Sequence, residues 1–118
     1  MFIRSQEGYN FNQMIDEIRR KVSEGFYEFS KHAVDQIILR NISLDEFADS
    51  VGDGNIIEDY PGDKYGPSCL ILGFTKADRP IHVQCSYPTR MILKVITLYE
   101  PDETLWIDFR ERRPASEG

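Results

Sequence analysis

Along the first half of this chain, apolar residues return every three or four positions. Phe11, Met14, Ile15, Ile18 and Val22 make one such stripe, which predicts an amphipathic helix. Asn10 with Gln13 forms its capping box and Gly25 its stop. The aromatic run Phe26-Tyr27-Glu28-Phe29 reads as a short edge strand. Ser30 then caps a second helix whose stripe is Ala33, Val34, Ile37 and Ile38, broken at Asn41 and Ile42. SLDE, from Ser43 to Glu46, is a capping box for a third helix carrying Leu44, Phe47, Ala48 and Val51, and GDGN from Gly52 to Asn55 ends it.

The period then shortens to two. NIIEDY, SCLILGFTK, PIHVQCSY and RMILKVITLYE read as four strands, separated by PGDKYGP, by Ala77-Asp78 and by a turn near Pro88-Thr89. Such short connections favour antiparallel neighbours. Pro101 stops the last strand, Asp102 and Glu103 are placed to open a short helix holding Leu105 and Trp106, and the basic end reads as a frayed tail over 114–118. Helices first and strands after predict an α+β fold, with N-terminal helices packed on one face of a four-stranded antiparallel sheet, in a single domain over 1–118.

Alternation sorts the strand side chains. In PIHVQCSY, Ile81, Val83, Cys85 and Tyr87 point one way and His82, Gln84 and Ser86 the other. A two-residue turn at Ala77-Asp78 would set Phe74, Leu72 and Leu70 against Ile81, Val83 and Cys85, facing the helices, and would leave Gly73 opposite His82. For the last strand the expected register puts Met91, Leu93 and Val95 inward, because the alternative buries the Lys94 ammonium at a cost of roughly several kcal/mol. Arg90 and Lys94 then join His82, Gln84 and Ser86 on an open face. Ile71, Ile92, Ile96 and Leu98 share that face, so the segment around Trp106 is expected to cover part of it.

Charge narrows the chemistry. The net charge of −6 argues against a general nucleic-acid binder. Residues 1–66 hold seven Lys and Arg against thirteen Asp and Glu, whereas residues 67–118 hold seven of each, so an anion-binding surface belongs to the second half. No apolar run approaches the ~20 residues of a membrane span, and MFIRSQEGYN lacks the pattern of a secretory signal, which points to the cytoplasm. Cys69 and Cys85 have no metal-ligand spacing and read as buried free thiols. There is no dinucleotide or phosphate-loop glycine signature and no calcium-loop spacing, so neither a metal nor another cofactor is expected.

Each of the two histidines carries two readings. His32 lies nearly opposite the buried stripe of its helix, flanked by Gln36 and Arg40; it is either a titratable group at a pocket rim or a first-turn residue bonded to local backbone or water. His82, among cations, is either a proton-transfer group or a satisfied structural ring. Trp106 and Tyr99 read first as core.

The ordered strings FSKHAVDQIILRNISLDEF, IIEDYPGDKYGPSCLILGFTKADRPIHVQCSY and VITLYEPDETLWIDFRERR resemble a small bacterial family known as domain-of-unknown-function family 4258, over about residues 26–113, with residues 1–25 as an N-terminal helical addition. The resemblance implies kinship with RelE-like and BrnT-like toxins and an RNA-cleaving activity within a toxin–antitoxin pair. It implies a zinc-finger antitoxin and RNA or the ribosome as partners; a homo-oligomer fits equally and a membrane does not. Metal-free RNA cleavage needs a deprotonated 2′-hydroxyl, a protonated leaving oxygen and neutralised charge on phosphorus. On this reading His82 is general acid or base, Lys94 and Arg90 stabilise the phosphorane, and His32 or Tyr99 is the partner. Gln84, Ser86, Arg110, Arg112 and Arg113 would hold substrate. The alternative is a non-catalytic binding module on the same fold.

Overall fold

The computed structural model describes residues 10–114, so the first nine residues and all of the expected tail except Pro114 lie outside the described residues. Helix α1 (Phe11–Glu24) starts at the Asn10–Gln13 capping box and stops where Gly25 turns left-handed at φ 83°. It leads through β1 (Tyr27–Phe29) into α2 (Lys31–Arg40), capped by the Ser30 hydroxyl, and then α3 (Leu44–Gly52), opened by the Ser43–Glu46 box. Strands β2 (Asn55–Tyr60), β3 (Ser68–Phe74), β4 (Pro80–Ser86) and β5 (Leu93–Tyr99) follow, with a two-stranded ribbon of β6 (Trp106–Ile107) and β7 (Glu111–Arg112) at the end.

The α+β architecture is as the patterning predicts, but the sheet is five-stranded and mixed, in the order β1-β5-β4-β3-β2. β1 pairs in parallel with β5, Tyr27 beside Leu93 and Phe29 beside Val95. That pairing carries Tyr27 and Phe29 onto Phe47 of α3, with ring centroids 5.2 and 5.1 Å apart. α1 is integral to the same core: Met14, Ile15, Ile18 and Val22 pack with Phe47, Val51, Ile71, Val83 and Val95, each large side chain contributing about 1.5–3 kcal/mol by leaving water. α2 behaves otherwise. It packs against β5 and buries only Ala33, with Ile37 half in, so Val34 and Ile38 of the expected stripe are exposed, Ile38 by 73%. Phe11 is exposed as well. A single side chain, Arg79, ties this end together, bonding Glu46, Glu100 and the Arg40 and Asn41 carbonyls at the end of α2.

Two registers differ from expectation. The β3–β4 hairpin has three loop residues, not two: the Asp78 N–H donates to the Thr75 carbonyl, and Asp78 sits at φ 66°, a turn followed by a left-handed residue. The one-residue slip exchanges the faces of β3. Leu70 and Leu72 now lie opposite Gln84 and His82, while Cys69, Ile71 and Gly73 face the helices. Gly73 leaves no room beside the imidazole; it is where α3 touches the sheet, and a Cβ there would come within 1.7 Å of the Ser50 carbonyl oxygen.

In β5 a bulge interrupts the ladder: Cys85 pairs with Val95 but Gln84 with Thr97, leaving Ile96 extra. Leu93, Val95 and also Leu98 therefore reach the main core, while Lys94 and Tyr99 share the other face. β5 begins only at Leu93, so Arg90 and Met91 belong to the β4–β5 loop and Met91 is exposed instead of inward. After Pro101 there is one turn, not a helix: Asp102 accepts from the Thr104 N–H, and its carbonyl from those of Leu105 and Trp106. The chain then folds back as the β6–β7 ribbon.

Candidate functional site

The second face of the sheet, away from the main core, divides into a dry half and a wet half. His82 belongs to the dry half and is fully buried, against the expectation of an imidazole open to solvent. The β6–β7 ribbon covers it. Trp106 meets the ring edge-on at 4.5 Å, and the Nε2 atom bonds the Phe109 carbonyl. A carbonyl only accepts, so Nε2 carries the proton, and Nδ1 is left to accept from the Tyr99 hydroxyl at 3.3 Å. Burial pushes the His82 pKa down, opposed by the Phe109 hydrogen bond. The ring is thus a neutral, doubly satisfied strut. Burial likewise raises the Tyr99 phenol.

The ribbon is held from outside as well. Arg112 lies over the Trp106 ring at 4.6 Å and forks onto Glu58 of β2, Nε to Oε2 at 3.0 Å. Glu58 also takes a short bond from the Tyr60 hydroxyl; burial, and after it this bond, lifts the phenol to about 12. Asp108 and Phe109 both adopt positive φ, 52° and 64°, in the turn closed by the Arg110 N–H on the Ile107 carbonyl. A phenylalanine so placed costs about 1–2 kcal/mol, which the grip of His82 on its carbonyl helps offset.

The wet half is a cleft of ≈ 500 Å³ lined by Ser30, His32, Tyr65, Gly66, Ser86, Arg90, Lys94 and Ile96. Three chain segments meet there. His32 comes from the first turn of α2, whose start is fixed by Ser30: its N–H donates to the Val95 carbonyl and its hydroxyl to that of Ile96, at 2.9 and 2.7 Å. Ser86 and Lys94 come from paired ends of β4 and β5, the Lys94 N–H donating to the Ser86 hydroxyl at 3.0 Å. Lys94 reaches the cleft with its ammonium 3.4 Å from Glu28. Arg90 enters from the loop, and among the described residues neither it nor His32 has an ion-pair partner.

Of the residues singled out in the sequence, the structure therefore gathers His32, Ser86, Arg90 and Lys94 in one cleft. His82 and Tyr99 are placed apart, bonded to one another. Gln84, half-buried, donates to Ser68 at 3.1 Å. Arg112 is engaged with Glu58, and Arg113 with the Glu103 carbonyl at 2.9 Å, while Arg110 is exposed on the ribbon turn. Sequence reasoning passed over Tyr65, which lines the cleft and is 79% exposed; an aromatic between Lys64 and Gly66 in a polar turn was the available signal. Among the described residues no group of three or more His, Cys, Asp or Glu could hold a metal ion, and no helix is long and apolar enough to cross a membrane. The two cysteines are buried free thiols on neighbouring strands, Cys69 beside Cys85.

One family model, described as Domain of unknown function (DUF4258), matches residues 29–100. That span contains all eight cleft residues and ends before the β6–β7 ribbon. No curated protein and no solved structure matches the chain.

Proposed function

The chain belongs to the DUF4258 family, and on that premise we propose that it is a metal-independent RNA-cleaving domain of the RelE-like and BrnT-like toxin type, acting in the cleft of His32, Arg90 and Lys94. One observation carries the reading: a chain of net charge −6 gathers an exposed imidazole and two cations at one concave place. Imidazole is the side chain suited to moving protons near neutral pH. His32, in place of His82, takes the proton of a ribose 2′-hydroxyl as its oxygen attacks phosphorus. Arg90 and Lys94 neutralise the charge that builds on the phosphorane. The bond from phosphorus to the 5′-oxygen breaks, that oxygen takes a proton from the Lys94 ammonium, and the proton on His32 returns to Lys94 through solvent. The products are a 2′,3′-cyclic phosphate and a 5′-hydroxyl.

The acidic surface elsewhere opposes free RNA, since phosphate neutralisation supplies most non-specific affinity. RNA presented on the ribosome is therefore the expected substrate, and a zinc-finger antitoxin the expected partner. The test is to incubate the protein, with chelator present, with single-stranded RNA and with translating ribosomes. Cleavage leaving a cyclic phosphate, lost in His32→Ala and in Arg90→Ala, supports the reading. Intact RNA in both mixtures, with unimpaired growth of cells expressing soluble protein, overturns it.

A second reading, a non-catalytic binding module, is favoured by the exposed Val34, Ile38 and Leu39 on α2, the helix that begins at the cleft. Such apolar exposure suits a protein partner. It predicts a stable complex and no change in RNA under any condition above.

A further inference from the structure

The phosphate-binding groups account for only part of the cleft. Its remaining lining includes Ile96, half-buried at the bulge, and Tyr65, whose ring stands almost free in solvent. Gly66, at φ 109°, shapes the turn beside it, and the Gly66 N–H donates to the Asp63 carbonyl at 2.9 Å, so the tyrosine is displayed on a closed turn. The Lys64 ammonium lies 5.0 Å from the centre of the Tyr65 ring. An exposed aromatic ring with a cation over one face, next to two more cations in a cleft with an apolar side chain, matches what a nucleobase and its phosphate require together. A free phosphate or a phosphopeptide would have no use for the flat ring.

We propose that Tyr65 is a base-stacking residue and that the cleft takes single-stranded nucleic acid, one base lying against Tyr65 and Ile96 while Arg90 and Lys94 hold the adjoining phosphate. The inference deepens the cleavage reading by naming the substrate form, and it rests on that reading for the phosphate position alone. Stacking needs an unpaired base, so a duplex is excluded. It is also tolerant of base identity, since every base has a π-face, so little sequence preference is expected from this contact.

The experiment measures binding of fluorescein-labelled, 2′-O-methylated ten-nucleotide strands, which cannot be cut, by fluorescence anisotropy at low salt. Three ligands are compared: a single strand, the same strand with abasic sites, and its duplex. Tyr65→Ala is expected to weaken the single strand roughly tenfold and to leave the abasic strand unchanged, with Tyr65→Phe close to wild type and the duplex weakest. Equal losses on the intact and abasic strands, unchanged binding in Tyr65→Ala, or preference for the duplex would overturn the inference. If Arg90→Ala weakens all three ligands while Tyr65→Ala weakens none, stacking is wrong and the phosphate site stands. If the full Tyr65 pattern appears in a protein that cuts no RNA, the cleavage reading falls and the stacking inference stands. Absence of binding to any strand overturns the stacking inference and leaves the cleavage reading to the ribosome mixture.

Discussion

Replacing His82 by alanine separates a catalytic ring from a structural one. The substitution removes the Nε2 bond to the Phe109 carbonyl, the bond from the Tyr99 hydroxyl and the edge contact with Trp106 at 4.5 Å. Net hydrogen bonds are worth about 1 kcal/mol each and an aromatic pair about 0.5–1.5 kcal/mol. The ring is fully buried, so a void adds to the loss. The total is about 3 kcal/mol, or roughly a 10 °C fall in Tm for a domain of this size. Trp106, the sole tryptophan, packs on the very ring that is removed, so its emission should shift red in the folded mutant as the ribbon loosens. Thermal melts followed by tryptophan emission and by far-UV circular dichroism give both quantities, and the proposed cleavage, which is assigned to His32, should survive in the folded fraction. A His82→Ala protein that melts like wild type, keeps its emission and loses all cleavage would refute the structural assignment and return His82 to the reaction.

Acid should loosen the same contact. The folded state holds His82 neutral with its pKa pushed down by burial, so the unfolded chain binds the extra proton; stability rises with pH and is lost as pH falls below the ordinary histidine value of about 6.5. Glu58 and Arg112 face the cluster with opposite charge, and other groups titrate too, so the decisive quantity is the wild-type pH dependence minus that of His82→Phe; identical slopes would sink the argument. Gly73→Ala should destabilise by about 1–3 kcal/mol, because its Cβ would fall 1.7 Å from the Ser50 carbonyl oxygen and force α3 off the sheet. Gly62→Ala, where a Cβ meets nothing within 4 Å, is the control in the same urea titration, and equal midpoints would mean that α3 does not sit directly on β3.

The helices were legible because their signals are local. Asn10 with Gln13, Ser30, and Ser43 with Glu46 each satisfy the first free N–H groups of the helix they begin, and that chemistry needs no partner from elsewhere in the chain. The four long strands were legible from alternation. What failed depended on distant residues. Nothing in Tyr27-Glu28-Phe29 reveals a parallel partner some 65 positions on. Ala77-Asp78 resembles a two-residue turn until Asp78 takes positive φ, and one residue of slip is enough to exchange Leu72 with Gly73 between faces. The β6–β7 ribbon could not be foreseen because Phe109 opposes its own turn and is held there from β4 by His82. His32, Ser86, Arg90 and Lys94, singled out by residue type, line one cleft, whereas grouping them with His82 failed because alternation gives the face of a side chain but not what later covers it.

The bulge at Ile96 explains how one sheet face can be both dry and wet. With unbroken alternation after Val95, Thr97 and Tyr99 would point into the main core, and Ile96 and Leu98 would lie on the second face. The extra residue reverses that parity: Leu98 enters the core opposite Val83, and Tyr99 arrives opposite His82, where its hydroxyl completes the buried cluster. Before the bulge Lys94 keeps its place on the second face, beside Ser86 and beyond the reach of the ribbon. At the bulge itself the Ile96 carbonyl takes the Ser30 hydroxyl, and this bond sets where α2 begins and therefore where His32 stands. A single irregular residue thus separates the sealed imidazole from the exposed one and delivers the exposed one to the cations. For this reason the proposed chemistry on a bound phosphate is assigned to the cleft and not to the sealed cluster around His82.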